Sequence, residues 1–379
     1  MKRARNNVPR HLAQAVLTID LDAIAANWRY LRGRVAPSEC AAVVKADAYG
    51  TGLDQVGPAL ATAGCQTFFV AHSSEAIRLR TLLPDTSIRI YTLNGFTGGE
   101  AEARALLEAN VRPVIGCLED LQLWRQPAGG KTISGFGLQL STGMNRLGFR
   151  PEEAADIAAT TNANRQAGID FVMSHFVASE EPAAAINQQQ IDAFAAVREC
   201  FPGIPASLAN SSGIFLPQKP HFELVRPGYA LYGGNPCPGQ PNPMRPVVHL
   251  TAPVLQVHYA MPGETAGYNG VWRAERKTRL AVIGIGYGDG LLRAAGGPGD
   301  PANIQIGGHP CPVAGRVSMD LTILDTTDAP DDAVFPGAIA EILGPFAGVD
   351  ELAGHAGTIG YEILTSLGSR YHREYLPLT

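Results

Sequence analysis

The sequence predicts an α/β protein: an N-terminal (β/α)8 TIM barrel followed by a mostly-β C-terminal domain. Between residue 15 and about residue 230, short apolar runs alternate with longer amphipathic stretches, the rhythm of a parallel sheet crossed by helices. Eight such units fit in about 215 residues, the size of one closed barrel. Beyond Tyr232 the texture changes to a Pro- and Gly-rich stretch, GGNPCPGQPNPMRP, which cannot continue a helix and reads as a linker. A chain of 379 residues is long enough for both parts.

The elements follow in order. A lead-in strand, LTI at 17–19, precedes Asp20, whose carboxylate can cap a helix over 21–34. The eight barrel strands are AAVVK (41–45), TFFVA (67–71), IRIYT (88–92), VRPVI (111–115), FGLQL (136–140), GIDFVMS (168–174), PASLA (205–209) and FELVR (222–226). Helical segments rich in Ala, Glu, Gln and Leu lie between them, among them 98–109, 151–163 and 183–199. Strand order is invisible in one sequence, so a doubly wound open sheet is the alternative arrangement. After the linker come VLQVHYA (254–260), RLAVIGIGYG (279–288), NIQIGG (303–308), VSMDLTIL (317–324) and AIAEILG (338–344), parted by turn residues. The expected domains are 12–240 and 241–379, with the lead-in strand free to pack on the second.

Composition narrows the function. Thirty Lys and Arg against 35 Asp and Glu give a net charge of −5, with no basic block beyond the first ten residues, so a nucleic-acid footprint is absent. A small ligand is expected. The cysteines, Cys40, Cys65, Cys117, Cys200, Cys237 and Cys311, form no C-x-x-C pair, which argues against zinc and fits reduced thiols in the cytoplasm. Lys2, Arg3, Arg5 and Arg10 precede an apolar stretch that His11 and Gln14 interrupt, so they read as a frayed tail rather than a signal peptide. No run reaches the ~18 apolar residues of a membrane span.

In a barrel of this kind the chemistry gathers just after the C-terminal ends of the strands. That filter selects Lys45 and Tyr49, Met144 to Arg146, His175, Asn210 with Ser211, and Arg226 with Gly228. An ammonium directly after AAVV sits at an apolar mouth, where desolvation lowers its pKa and frees a nucleophilic amine for Schiff-base chemistry. Alternatively, Lys45 snorkels to solvent. Ser211 either caps the helix after it or helps to bind phosphate, and both roles are compatible. His175 is a site residue or a satisfied core histidine, and Arg226 a site residue or a salt-bridge partner of Glu223. GIGYGDG at 284–290 has dinucleotide-loop spacing but reads as a turn with no helix opening after it.

The string AVVKADAYGTG (42–52) resembles the cofactor-attachment signature of the alanine racemases. STGMNRLGF (141–149), MSHF (173–176), NSSG (210–213), RPGYALYG (226–233), IGYGDG (285–290), GRVSMD (315–320) and GYEIL (360–364) follow in that family's order and spacing. The resemblance implies a fold-type III pyridoxal 5'-phosphate enzyme that interconverts L- and D-alanine, working as a homodimer with composite active sites. It implies that Lys45 holds the cofactor covalently and serves as one of two bases, and that Tyr287 serves as the other from the partner subunit. Tyr49, Ser211, Gly228, Tyr229 and Tyr361 are then phosphate contacts, with Asn210 beside them. Arg226 faces the pyridine nitrogen, and His175 joins a network with Arg226 and Tyr287. Arg146 and the backbone N–H of Met319 hold the substrate carboxylate, Arg146 also lying near the cofactor phenolate oxygen.

The chain departs from the family pattern where Gln139 replaces a lysine commonly carbamylated to orient the arginine equivalent to Arg146. Ser141 replaces a usual Asp, and Ser318 a common Cys. No carbamate is expected, Arg146 being set by neutral hydrogen bonds or a bound anion such as chloride. The other readings are a racemase of broader specificity, a non-catalytic pyridoxal-phosphate carrier, a decarboxylase of the same fold type, and a phosphate-binding barrel without cofactor.

Overall fold

The computed structural model describes residues 7–125, 135–162 and 168–378. The basic residues Lys2, Arg3 and Arg5 of the expected tail, and the end of the expected 151–163 helix, lie outside that range. Strand β1 (Val16–Asp20) leads into helix α1 (Leu21–Val35). The Asp20 carboxylate accepts from the Ala23 N–H at 2.8 Å and so caps the helix. Leu21, Ile24, Trp28, Leu31 and Val35 recur at three- and four-residue steps and are all buried, which is why this segment is helical and lies on the barrel wall.

The barrel strands are β2 (Glu39–Cys40), β3 (Ala42–Val43), β4 (Thr67–Val70), β5 (Arg89–Thr92), β6 (Arg112–Ile115), β7 (Phe136–Gln139), β8 (Ile169–Met173), β9 (Ala206–Ser207) and β10 (Leu224–Val225). Strands β3 to β9 form one parallel sheet in chain order, and β10 pairs in parallel with β2. The first strand, expected at 41–45, instead runs from Glu39 to Val43 and is broken at Ala41. It carries both joins of the curled sheet: β3 pairs β4, while Glu39 and Ala41 donate to Glu223 and Val225. Glu223 and Arg226 in turn donate to Ala206 and Ala209, linking β10 to β9. The sheet closes, and the open doubly wound alternative is excluded. Helices α3 (Leu53–Thr62), α4 (Ser73–Leu82), α5 (Gly99–Glu108), α6 (Leu118–Arg125), α7 (Ala154–Asn162) and α8 (Ala185–Arg198) alternate with the strands. Between β3 and α3 lies a single turn, α2 (Lys45–Tyr49). Inside the barrel Phe69, Tyr91 and Phe171 pack ring on ring, and Arg112 and Tyr91 meet Asp170 at 3.0 and 2.9 Å on the N-terminal side of that layer.

The C-terminal domain contains β11 (Val248–Ala260), β12 (Thr265–Ala266), β13 (Trp272–Arg273), β14 (Thr278–Ile283), β15 (Asn303–Ile306), β16 (His309–Pro312), β17 (Thr322–Asp325), β18 (Ile339–Leu343) and β19 (His372–Leu376), of which β12 and β13 form a separate hairpin and the others one sheet. Strand β1 lies in this sheet, antiparallel to β11 and parallel to β19. Sequence periodicity missed β19 and two seven-residue helices, α9 (Val349–His355) and α10 (Gly360–Ser366), which are too short to display a helical repeat.

The two parts meet behind Lys45. Gly50 has φ +81, and a Cβ there would lie 2.2 Å from the Leu364 carbonyl oxygen. Gly50→Ala is expected to destabilise the fold by at least about 2 kcal/mol, since it combines a left-handed φ with a clash against backbone. An unchanged urea midpoint would contradict this packing.

Candidate active site

At the C-terminal end of the barrel a cavity of about 910 Å³ opens. Ten of the twelve residues singled out in the sequence line it: Lys45, Tyr49, Arg146, His175, Asn210, Ser211, Arg226, Gly228, Tyr229 and Tyr361. They come from five barrel loops and from α10, so the second domain contributes one wall. Its size suits a ligand of a few hundred daltons.

Lys45 follows the first strand and is half-buried. Burial and the nearby positive charge of Arg146 push its amine below the ordinary lysine range, while Glu75 opposes that shift. The next four residues, Ala46, Asp47, Ala48 and Tyr49, have φ of 54, 56, 54 and 54°, a full turn of left-handed backbone. For residues with a side chain this costs roughly 1–2 kcal/mol each, so the surroundings must hold it. Within the turn Gly50 N donates to Ala46 O at 2.9 Å and Gly52 N to Asp47 O at 2.9 Å. From the second domain Arg373 Nη1 donates to Gly50 O at 2.8 Å and Tyr375 Oη to Thr51 O at 3.0 Å. The left-handed turn swings Tyr49 back under the cavity, where its ring stacks on Tyr232 at 4.7 Å.

Opposite Lys45, a polar cradle is formed by the loops after β9 and β10. The Ser211 hydroxyl oxygen accepts from Gly228 N at 3.0 Å and Ala230 N at 3.2 Å, which ties the two loops together and leaves its O–H free to donate. Ser211 does not cap the 3-10 turn that follows; the Asn210 side chain does so instead, accepting from Gly213 N at 2.8 Å. The backbone N–H groups of Ser211 and Tyr229 meet no protein acceptor among the described residues. A Cβ on Gly228 would lie 2.3 Å from Tyr49 Oη, so only glycine lets that phenol reach the cradle. Burial raises the pKa of Tyr49 and Tyr361 above the ordinary phenol value, keeping both as neutral O–H donors. Such a set of uncommitted donors is suited to a phosphate group. Tyr229 differs: its hydroxyl donates to Asp350 Oδ1 at 2.6 Å and its ring stacks on Tyr361 at 4.1 Å, so only its backbone is available to a ligand.

Arg226 is buried and donates to the Ser174 carbonyl at 2.6 Å and to the Ser207 hydroxyl. Glu223, its alternative partner from sequence, pairs with Arg198. Burial pulls the Arg226 pKa down to about 9, which still leaves a cation at neutral pH. His175 is pushed down to about 3 by burial and by the positive charges of Arg226, Arg146 and Lys45, so its ring is neutral. No hydrogen bond joins its ring to Arg226 or Tyr287 among the described residues. Gln139 donates through Nε2 to Leu147 O at 3.2 Å, and Asn145 N donates to Ser141 Oγ at 3.2 Å. These neutral bonds fold the loop that carries Arg146, whose guanidinium meets no carboxylate among the described residues.

Tyr287 and Met319 stand apart from the cavity. They lie together, 40% and 53% exposed, on the C-terminal domain: Tyr287 N donates to Ser318 O at 3.0 Å and Gly288 N to Met319 O at 2.8 Å. Asp289 fixes this turn by accepting from Gly286 N and from Arg370. No α-helix follows, which disposes of the dinucleotide-loop reading of GIGYGDG. Sequence reasoning missed Glu75, whose carboxylate lies beneath the Lys45 turn. An acid at the third position of a helix passes for an ordinary cap, so no signal marked it.

Models of two families match: the alanine racemase N-terminal domain over residues 19–236 and the alanine racemase C-terminal domain over 247–375. An alanine racemase of Methylobacterium sp. (strain 4-46) is 50% identical over 364 residues, 96% of this chain and 98% of that protein. One from Acidiphilium cryptum (strain JF-5) is 50% identical over 357 residues, 94% and 97% of the two chains. Among solved structures, alanine racemase from Bartonella henselae with covalently bound pyridoxal phosphate superposes with a TM-score of 0.89 at 37% identity, covering 96% of this chain and 100% of that one. Biosynthetic alanine racemase from Pseudomonas aeruginosa also gives 0.89, at 31% identity over 96% of this chain.

Proposed function

The chain belongs to the alanine racemase family and is a pyridoxal-phosphate-dependent isomerase that interconverts L- and D-alanine; from that premise we propose that Lys45 and Tyr287 are its two acid–base groups. Inversion at an α-carbon needs a proton removed on one face and another delivered on the opposite face. The cofactor, when bound, delocalises the electron pair left at that carbon. Lys45 holds it through Nζ, and the same amine then exchanges the proton on one side. Its lowered pKa supports the role, because a base must be neutral part of the time near neutral pH. Tyr49, Ser211, Tyr361 and the backbone N–H of Tyr229 would receive the phosphate; the Gly228 N–H is taken by the Ser211 hydroxyl, so Gly228 serves by leaving room for the Tyr49 phenol, and Asn210 shapes the loop. Arg226, a buried cation in the cavity wall, would hold the ring nitrogen; a guanidinium keeps its own protons, so it would supply no proton to that nitrogen. Neutral His175 lies among the cations around it. Arg146 and the Met319 N–H bind the substrate carboxylate.

The observation that carries this reading is the division of the residues: ten share one cavity, while Tyr287 and Met319 lie on two exposed loops of the same chain that hydrogen-bond to each other. Such a division suits a homodimer in which each subunit's loops complete its neighbour's cavity. The cytoplasm suits the six unpaired cysteines, and among the described residues no helix is long and apolar enough to cross a membrane. The test is solvent exchange in deuterated water. Both alanine enantiomers are expected to acquire α-deuterium and interconvert, with L-serine and L-lysine turned over at least tenfold more slowly. Comparable rates for all three would replace alanine specificity with a broad racemase.

A further inference from the structure

The left-handed turn after Lys45 opens with backbone N–H groups that no residue of the turn can accept, as at the start of any helix. One side chain accepts them. Glu75, the third residue of α4, takes Ala46 N at 2.7 Å and Asp47 N at 3.4 Å on Oε1. Its other oxygen takes Ala71 N at 3.0 Å and His72 N at 3.2 Å. A single carboxylate thus spans the loops that leave β3 and β4, and each loop places a residue, Lys45 or Ala71, in the cavity wall. One turn further along α4, Arg78 pairs with Asp54 at 2.7 Å and lies 3.7 Å from the Asp47 carboxylate, which itself accepts from Leu53 N at 3.0 Å. Helix α4 therefore grips the turn at two points.

We propose that Glu75 is a positioning residue: by binding both loops with its two oxygens, it fixes the left-handed turn and so keeps the Lys45 amine aligned with the reacting carbon. Glu75 does not line the cavity and touches no substrate; it acts through the backbone of residues 46 and 47. The inference rests on the reading of Lys45 as the cofactor-holding base. A glutamine fits the same space but turns an NH2 group toward two N–H donors, so one loop loses its acceptor and meets repulsion. An aspartate keeps the charge but, one methylene shorter, reaches one loop only.

The test compares wild-type, Glu75→Gln and Glu75→Asp holoenzymes. The Gln variant is expected to lose 10- to 100-fold in kcat in both directions with the alanine KM within about threefold, the pattern of a misaligned reacting group. Deuterium uptake is expected to rise in residues 43–50 and 71–72 and nowhere else, and the Asp variant to fall between. A kcat within about twofold of wild type overturns the proposal, as does faster exchange spread over the whole barrel, which would make Glu75 a general brace. If the Gln variant does not accumulate, the Asp variant is judged on the same three readouts. Borohydride reduction of the wild-type holoenzyme and peptide mapping test the premise separately: label on a lysine other than Lys45 removes it and the proposal together, whereas with label on Lys45 the Glu75 variants alone decide.

Discussion

Lys45→Ala is expected to lower racemisation at least about 10⁴-fold, because in the proposed mechanism it removes a base and the covalent hold on the cofactor at once. The absorption band near 420 nm that marks the lysine-bound cofactor should vanish with it. The fold should survive, since the side chain is half-buried and the turn after it is held by backbone bonds and by Arg373, Tyr375 and Glu75. A Lys45→Ala protein that folded, kept the band and racemised alanine would end the assignment.

Tyr287→Phe is expected to cost about 10²- to 10⁴-fold in turnover, the usual worth of a placed acid–base group. The loss should be asymmetric at the level of single protons. With one base left, α-proton exchange into solvent should persist for one enantiomer of alanine and stop for the other. The position of Tyr287 gives a sharper test. Mixing Lys45→Ala chains with Tyr287→Phe chains produces heterodimers in which, if the phenol crosses between subunits, one of the two sites holds both intact groups. Random reassortment of two inactive proteins should then restore roughly a quarter of wild-type activity. No recovery after subunit exchange would mean that Tyr287 serves its own chain.

How much of this was legible in the sequence follows from which physical constraints are local. The barrel strands announced themselves as apolar runs, and α1 as an Asp20 cap with buried residues at helical spacing, because both depend on neighbours within a dozen positions. The break at Ala41 was not legible, since it arises from the first strand serving two partners at the closing seam. The cavity residues were found partly by position after strands and partly by family resemblance. Position alone left Ser211 poised between capping and ligand binding, and Arg226 between ion pairing and the site; the packing of the loops removes the capping and the Glu223 pairing. Position gave no hint that the Tyr229 hydroxyl is committed to Asp350, 121 residues away. Glu75 shows the remaining limit: its sequence context is that of a helix start, and only the reversed hand of the neighbouring turn gives it another task.

The place of β1 has a consequence for how the molecule is made. The strand emerges early from the ribosome, yet its two partners are β11 and β19, the latter more than 350 residues downstream. All the barrel strands are synthesised before either partner of β1 is complete, so an apolar ribbon bearing Leu17 and Ile19 must wait unpaired through most of translation. Nascent chains stalled before residue 248 should therefore expose that ribbon to chaperones and proteases, and release of β11 and then β19 should bury it.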